Sequence, residues 1–112
     1  MVEHANELDS IFRSLSDPTR RDILKKISKR SLSVSEIAVH YQLTFAAVAK
    51  HLDVLHRAKL ISKKRRGKEQ IVSISPKKLA VASDYLKTYE KLWERRLDSL
   101  DTYLQSLKKT KK

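Results

Sequence analysis

Apolar positions recur along this chain at two periods, about 3.6 residues through most of it and two residues in one short stretch. Leu8, Ile11, Phe12 and Leu15 form one helical stripe. Ser16-Asp17-Pro18 ends that helix and opens the next, because aspartate caps a helix start and proline is tolerated in a first turn. Ile23, Leu24 and Ile27 supply the second stripe, and Ser28 to Ser31 reads as a basic, serine-rich connection. A third helix starts at Ser33, since Ser33 with Glu36 three residues on is a capping box. After a break at Gln42-Leu43, Thr44 stands where an N-cap is needed, and Val48, Leu52 and Leu55 face inward on a fourth helix. Leu60-Ile61 leads into a strand, and on the returning strand Val72 and Ile74 alternate with serines. Gly67, the only glycine, falls at the tip of this hairpin, where positive φ is usually required.

Ser75-Pro76 stops the strand and opens a long last helix, about residues 76–107. Leu79, Ala82, Leu86, Tyr89, Trp93, Leu97, Leu100, Leu104 and Leu107 are spaced alternately by three and four, with one interruption at Trp93–Leu97. This heptad-like seam is longer than one small domain can cover, so it reads as a subunit interface more readily than as intramolecular packing. The Lys-Lys-Thr-Lys-Lys end is expected to be a frayed tail, 108–112.

Two short helices followed by a basic hairpin predict a winged helix-turn-helix that reads DNA. The fold class is mainly α with a small β-hairpin, one domain over residues 1–107 with a long C-terminal dimerisation helix. The helix over about 44–58 turns Phe45, Ala46, Ala49, Lys50 and Asp53 outward, and its N-terminal half is what a recognition helix presents to the major groove. The hairpin over about 61–75 is the wing.

Charge strengthens this picture. The 112-residue chain has a net charge of +12, and the segment Asp17–Ser75 holds 14 bases against five acids. The excess therefore sits in the segment carrying the helix-turn-helix pattern, which points to nucleic acid rather than to a generic solubility charge. With no cysteine, disulfides, thiolate ligands and cysteine catalysis are excluded together. No long apolar run is present, and the start of the chain is acidic and polar, so the expectation is a cytoplasmic protein without a membrane span. No glycine-rich phosphate loop, serine elbow or metal constellation appears, and Asp98 and Asp101 lie on the polar flank of the seam. An enzyme and a cofactor are not expected.

Individual residues each carry a bland reading beside the functional one. Lys50 donates to guanine or to a phosphate, and only the first specifies sequence. Ala46 and Ala49 either touch thymine methyls or merely let the helix approach closely. Phe45 either reads a thymine methyl or folds back as a staple. His51 is placed half-buried, near the DNA backbone or against the wing. Lys63, Lys64, Arg65, Arg66 and Lys68 are either a charged hairpin that avoids edge pairing or contacts to phosphates and the minor groove, and the wing context favours contact. Arg20 and Arg21 contact phosphates or pair with Asp17 and Asp22. His4, His40 and His56 have no partners at metal-ligand spacing, so no metal is expected.

The segments Ile11–Leu24, with Ser16-Asp17-Pro18-Thr19-Arg20 at its centre, Leu32–Ala38 and Val48–Leu55 resemble ArsR-type winged-helix repressors, and Gly67 matches that family's wing turn. The resemblance covers roughly residues 8–75, and the tail bearing Tyr89, Trp93, Arg96, Leu97, Leu100 and Tyr103 resembles a branch lacking a metal site. It implies a homodimeric transcriptional repressor paired through its first and last helices, at Leu8, Ile11, Phe12, Leu15, Leu86, Tyr89, Trp93, Leu97, Leu100 and Leu104. It also implies contact with double-stranded DNA at Thr44 and the recognition-helix and wing residues named above. Where metal-sensing members carry Cys-x-Cys, this chain has Ser33 and Ser35, and no histidine follows His56 to build the last-helix site. Polar residues that other members use against bases correspond here to Phe45, Ala46 and Ala49, and a common glycine after the recognition helix is Lys59. The alternative is a basic winged-helix module that binds nucleic acid without sequence preference, or a protein-interaction adaptor.

Overall fold

A computed structural model describes residues 3–110 of the chain, and the side chain of His4 and the tail residues 111–112 lie outside the described residues. The elements in order are α1 (Glu3–Leu15), α2 (Pro18–Lys29), β1 (Leu32–Ser33), α3 (Val34–Tyr41), α4 (Phe45–Arg57), β2 (Ile61–Arg66), β3 (Glu69–Ile74) and α5 (Pro76–Thr110). Two compact units result, one ending at Val81 and the other formed by α5 from Ala82 onward.

The expected caps close the first unit's helices. Asp17 accepts from the Arg20 amide at 3.0 Å with Pro18 in the first turn of α2. Ser33 and Glu36 form the reciprocal box at α3, at 3.1 and 3.0 Å. Thr44 accepts from the Ala47 amide at 3.1 Å. Helices α1, α2 and α4 pack on one another and α3 packs on α4, around a core of Ile11, Ile23, Ile37, Val48, Leu52 and Leu55. Burying aliphatic side chains of this kind contributes about 1.5–3 kcal/mol each relative to exposure. Ser14 is a fully buried polar residue within this packing, and its hydroxyl lies 2.9 Å from the Ser10 carbonyl and 3.3 Å from that of Val54 on α4.

Three features depart from what the sequence predicts. The sheet has three strands in the order β1-β3-β2, all antiparallel, not two. Leu32 and Ser33 pair with Val72 and Ile71, a strand too short to show alternation and one whose second residue doubles as a helix cap. Ser28 and Lys29 belong to α2 rather than to a connection, because Ile27 is still packed in the core and nothing there breaks the helix. Helix α5 continues to Thr110, beyond 107, since lysines suit a helix C-terminus.

The second unit is a single helical stretch about 43 Å long at 1.5 Å per residue. Leu86, Tyr89, Leu92, Trp93, Leu97, Leu100 and Leu104 along it are all exposed, Trp93 by 63%. Tyr85 and Tyr89 meet edge-on with their hydroxyls 3.0 Å apart. Among the described residues no helix is long and apolar enough to cross a membrane.

Candidate nucleic-acid interface

Helices α3 and α4 are joined through Gln42, Leu43 and Thr44. Gln42 adopts φ 54°, a left-handed C-cap whose amide donates to the Ala38 and Val39 carbonyls, and the Leu43 amide donates to the Ala38 carbonyl at 3.0 Å. This turn ends α3 abruptly and lets Thr44 start α4 in a new direction. Val48, Leu52 and Leu55 then anchor α4 in the core, so Phe45, Ala46, Ala49 and Lys50 are left exposed. Phe45 is 61% exposed and has not folded back as a staple. No acidic residue stands in the first turn of α4, so the partial positive charge of its amide end is uncompensated and suits a phosphate-rich ligand.

His51 is half-buried, as expected, and its polar partners come from the start of α2. Its Nδ1 lies 3.5 Å from the Arg20 guanidinium and 3.8 Å from the Asp17 carboxylate, so the ring packs against the start of α2. Arg20 and Arg21 take a third role besides the two foreseen. Arg20 Nε and Nη2 donate to the carbonyls of Ser14 and Arg13, and Arg21 donates to that of Leu15. These are among the last carbonyls of α1, and two arginines of the next helix donate to them, the Arg13 carbonyl also accepting from the Ser16 amide and hydroxyl. The signal was present as a helix end closely followed by cationic residues. Asp17 is held below the ordinary carboxylate range by the Arg20 amide first, with the His51 and Arg20 charges adding to it against partial desolvation.

Asp22 accepts from the Tyr41 hydroxyl, tying α2 to α3. That bond lowers the Asp22 pKa, while burial and the same carboxylate push the phenol upward.

In the wing, Arg66 pairs with Glu69 and the loop between them is Gly67-Lys68. Gly67 has φ 65° and Lys68 is not among the positive-φ residues, the pattern of a hairpin turn with glycine at its first central position. The register sorts the basic run onto two faces. Lys63 lies across from Val72, is half-buried and shares the core-facing side, as does the register position of Arg65 opposite Gln70. Lys64 and Arg66 lie across from Ile71 and Glu69 on the other face. Lys64, Arg65, Arg66 and Lys68 are all exposed. A contiguous run of charges contains no information about this division until the strand register is known.

Of the first-helix residues read as interface, Ile11 is wholly covered by the chain's own core, whereas Leu8, Phe12 and Leu15 remain partly exposed. Ser33, at a position where cysteine ligates metal in other proteins, is 1% exposed and uses its oxygen as a helix cap. Among the described residues no three histidine, aspartate or glutamate side chains converge.

A helix-turn-helix with an exposed, cation-bearing second helix and an adjacent basic hairpin defines a winged-helix DNA-binding protein. Residues 17–63 match the bacterial regulatory protein, arsR family. The transcriptional repressor SdpR of Bacillus subtilis (strain 168) is 33% identical over 60 residues, 54% of this chain and 67% of that one. The transcriptional regulator Rv2034 of Mycobacterium tuberculosis is 30% identical over 89 residues, 80% of either chain. The structure of an ArsR-like transcriptional regulator from Rhodococcus sp. RHA1 superposes with a TM-score of 0.72 at 30% identity, over 87% of this chain and 92% of the other. The chain belongs to the ArsR family of helix-turn-helix transcriptional regulators and is a DNA-binding regulator.

Proposed function

We propose that this regulator is a homodimeric repressor that reads an inverted-repeat operator in the cytoplasm without a metal. The observation that carries this reading is the division of α4, whose Val48, Leu52 and Leu55 are buried while Phe45, Ala46, Ala49 and Lys50 stand clear of the protein. In the major groove, Lys50 donates to guanine, and the small faces of Ala46 and Ala49 allow close approach to thymine methyls. The wing supplies phosphate contacts through Lys64, Arg65, Arg66 and Lys68. Pairing through α5 covers an otherwise solvent-facing apolar row, and the partly exposed Leu8, Phe12 and Leu15 of α1 offer a second apolar patch to a partner. Two recognition helices related by a two-fold axis then require half-sites about one helical turn apart. Soft thiophilic ions have no thiolate to bind in a chain without cysteine.

Selection of bound duplexes from a random pool tests this. One recurrent inverted repeat is expected, with the same repeat and affinity in chelator and in excess zinc. A pool that stays random would favour the non-specific or adaptor reading, to which the apolar front Phe45-Ala46 lends some support. Lys50→Ala should reduce the preference for the selected repeat over random DNA, and a uniform loss on both would assign Lys50 to a phosphate.

A further inference from the structure

The corner between α1 and α2 reaches α4 through polar contacts that direct DNA recognition by α4 and the wing does not use. Arg20 is central to them. Its Nε and Nη2 are fixed on the Ser14 and Arg13 carbonyls at 2.8 and 3.0 Å, and its Nη1 points to His51 Nδ1 at 3.5 Å. A guanidinium is planar and rigid, so two donors seated on α1 determine where the third points. The Asp17 carboxylate stands 3.8 Å from the same nitrogen, beyond hydrogen-bond reach, and is itself anchored on the Arg20 amide. The side chains of His51 and Asp17 are only 23% and 31% exposed, so water competes weakly for these contacts. One helical turn further along α4, the buried Ser14 hydroxyl reaches the Val54 carbonyl. Both ties come from the same corner and meet the same side of α4.

The apolar anchors of α4 differ in kind. Contacts of Val48, Leu52 and Leu55 are non-directional and tolerate small rotations or slides of the helix. Hydrogen bonds and charge contacts constrain direction and distance. Base-edge contacts in the major groove depend on the rotation of α4 about its axis, and phosphate contacts depend on it far less.

We propose that His51 is a positioning residue of the recognition helix: its Nδ1, facing the guanidinium of Arg20 that α1 fixes in place, holds α4 in the rotation that presents Ala46, Ala49 and Lys50 to base edges. His51 thereby contributes to sequence discrimination without touching DNA. The proposal rests on reading α4 as the recognition helix and concerns what aims it.

Two substitutions separate this role from a direct contact. His51→Asn keeps a polar atom at the distance of Nδ1 from Cβ, and His51→Leu removes it. Affinity for the selected operator and for a random duplex is measured for each across a salt series. His51→Leu should reduce the ratio of operator to random affinity by about five- to tenfold, the worth of one or two polar contacts, with the random-duplex affinity and salt slope unchanged. His51→Asn should restore the ratio to within about threefold of the parent. Arg20→Lys keeps the charge and loses the fork, so it should reduce the ratio in the parent and add nothing in the His51→Leu background. If His51→Leu does not fold, Arg20→Lys and His51→Asn decide alone: a reduced ratio in the first and a kept ratio in the second support the role, and any other pair overturns it. An unchanged ratio in His51→Leu overturns the proposal. So does an equal loss on both duplexes with the salt slope lowered by about 0.9, the mark of a phosphate contact. A parent protein that shows no operator preference fails the recognition-helix reading itself and is thereby told apart.

Discussion

Lys59 carries a backbone conformation that its side chain does not favour. It follows α4 at φ 61°, with its amide donating to the His56 carbonyl at 2.9 Å. Left-handed φ costs an L-residue about 1–2 kcal/mol, a cost that glycine would not bear. Lys59→Gly should therefore raise stability by about 0.5–1 kcal/mol after the entropy lost by glycine, read as a higher urea midpoint at unchanged slope. A lower midpoint would show that the lysine side chain contributes more than the strain it brings. Glu36 makes the opposite kind of contribution. The Ser33 backbone amide, foremost among its partners, holds the Glu36 carboxyl below the ordinary range against partial desolvation, with Arg30 adding at 3.2 Å. A depressed carboxylate stabilises the fold above its unfolded pKa of about 4.3, and that stability is lost as pH falls through the lower folded value. Glu36→Gln should accordingly be less stable than the parent at neutral pH and should converge with it in acid. Denaturant melts at about pH 7 and about pH 2.5 read this difference, and a gap that persists in acid would locate the effect in packing instead.

At the scale of the element, the wing owes its shape to register, and the proposed function assigns its contribution to binding to charge. Replacing Lys64, Arg65 and Arg66 together by alanine should weaken all duplexes alike and lower the log–log salt slope by roughly 0.9 for each phosphate no longer neutralised. Lys63→Ala, at the half-buried position across from Val72, should leave the slope unchanged. Salt titrations of binding to a random and a selected duplex distinguish the two, and a triple variant with the parent's slope would remove the hairpin from the DNA interface. The same register shows why the sequence alone left the wing's charges undivided. Alternation is visible where serines and aliphatics take turns, as in Val72-Ser73-Ile74, and disappears where six of eight residues between Ile61 and Lys68 are basic or polar by composition.

For the whole molecule, the decisive property is an apolar row on α5 that the chain leaves in solvent. Leu97 stands near its middle, 46% exposed. If two copies bury this row against each other, Leu97→Asp places an unpaired carboxylate in an apolar contact at a cost of several kcal/mol per site. Sedimentation equilibrium should find the parent dimeric at micromolar concentration and the variant monomeric, and a monomeric parent would overturn the dimer. The spacing of four and four at Tyr89, Trp93 and Leu97 departs from a strict heptad, so a uniform left-handed supercoil along the whole seam is not expected.

The order of elements, all three capped helix starts, the hairpin with its glycine tip and the inward face of α4 were legible in the sequence. They depend on local chemistry: a cap needs its partner three residues away, and a helical face repeats every three or four. Family membership was legible for a related reason, because several short motifs occur in the right order. Tertiary structure alone decided the third strand, which two residues are too few to announce, and the removal of Ile11 from the exposed face of α1. It also decided that Arg20 faces His51, since 31 residues separate the two and no local pattern links them. Side chains that bridge helices obey the packing of those helices, and that packing is a property of the folded chain.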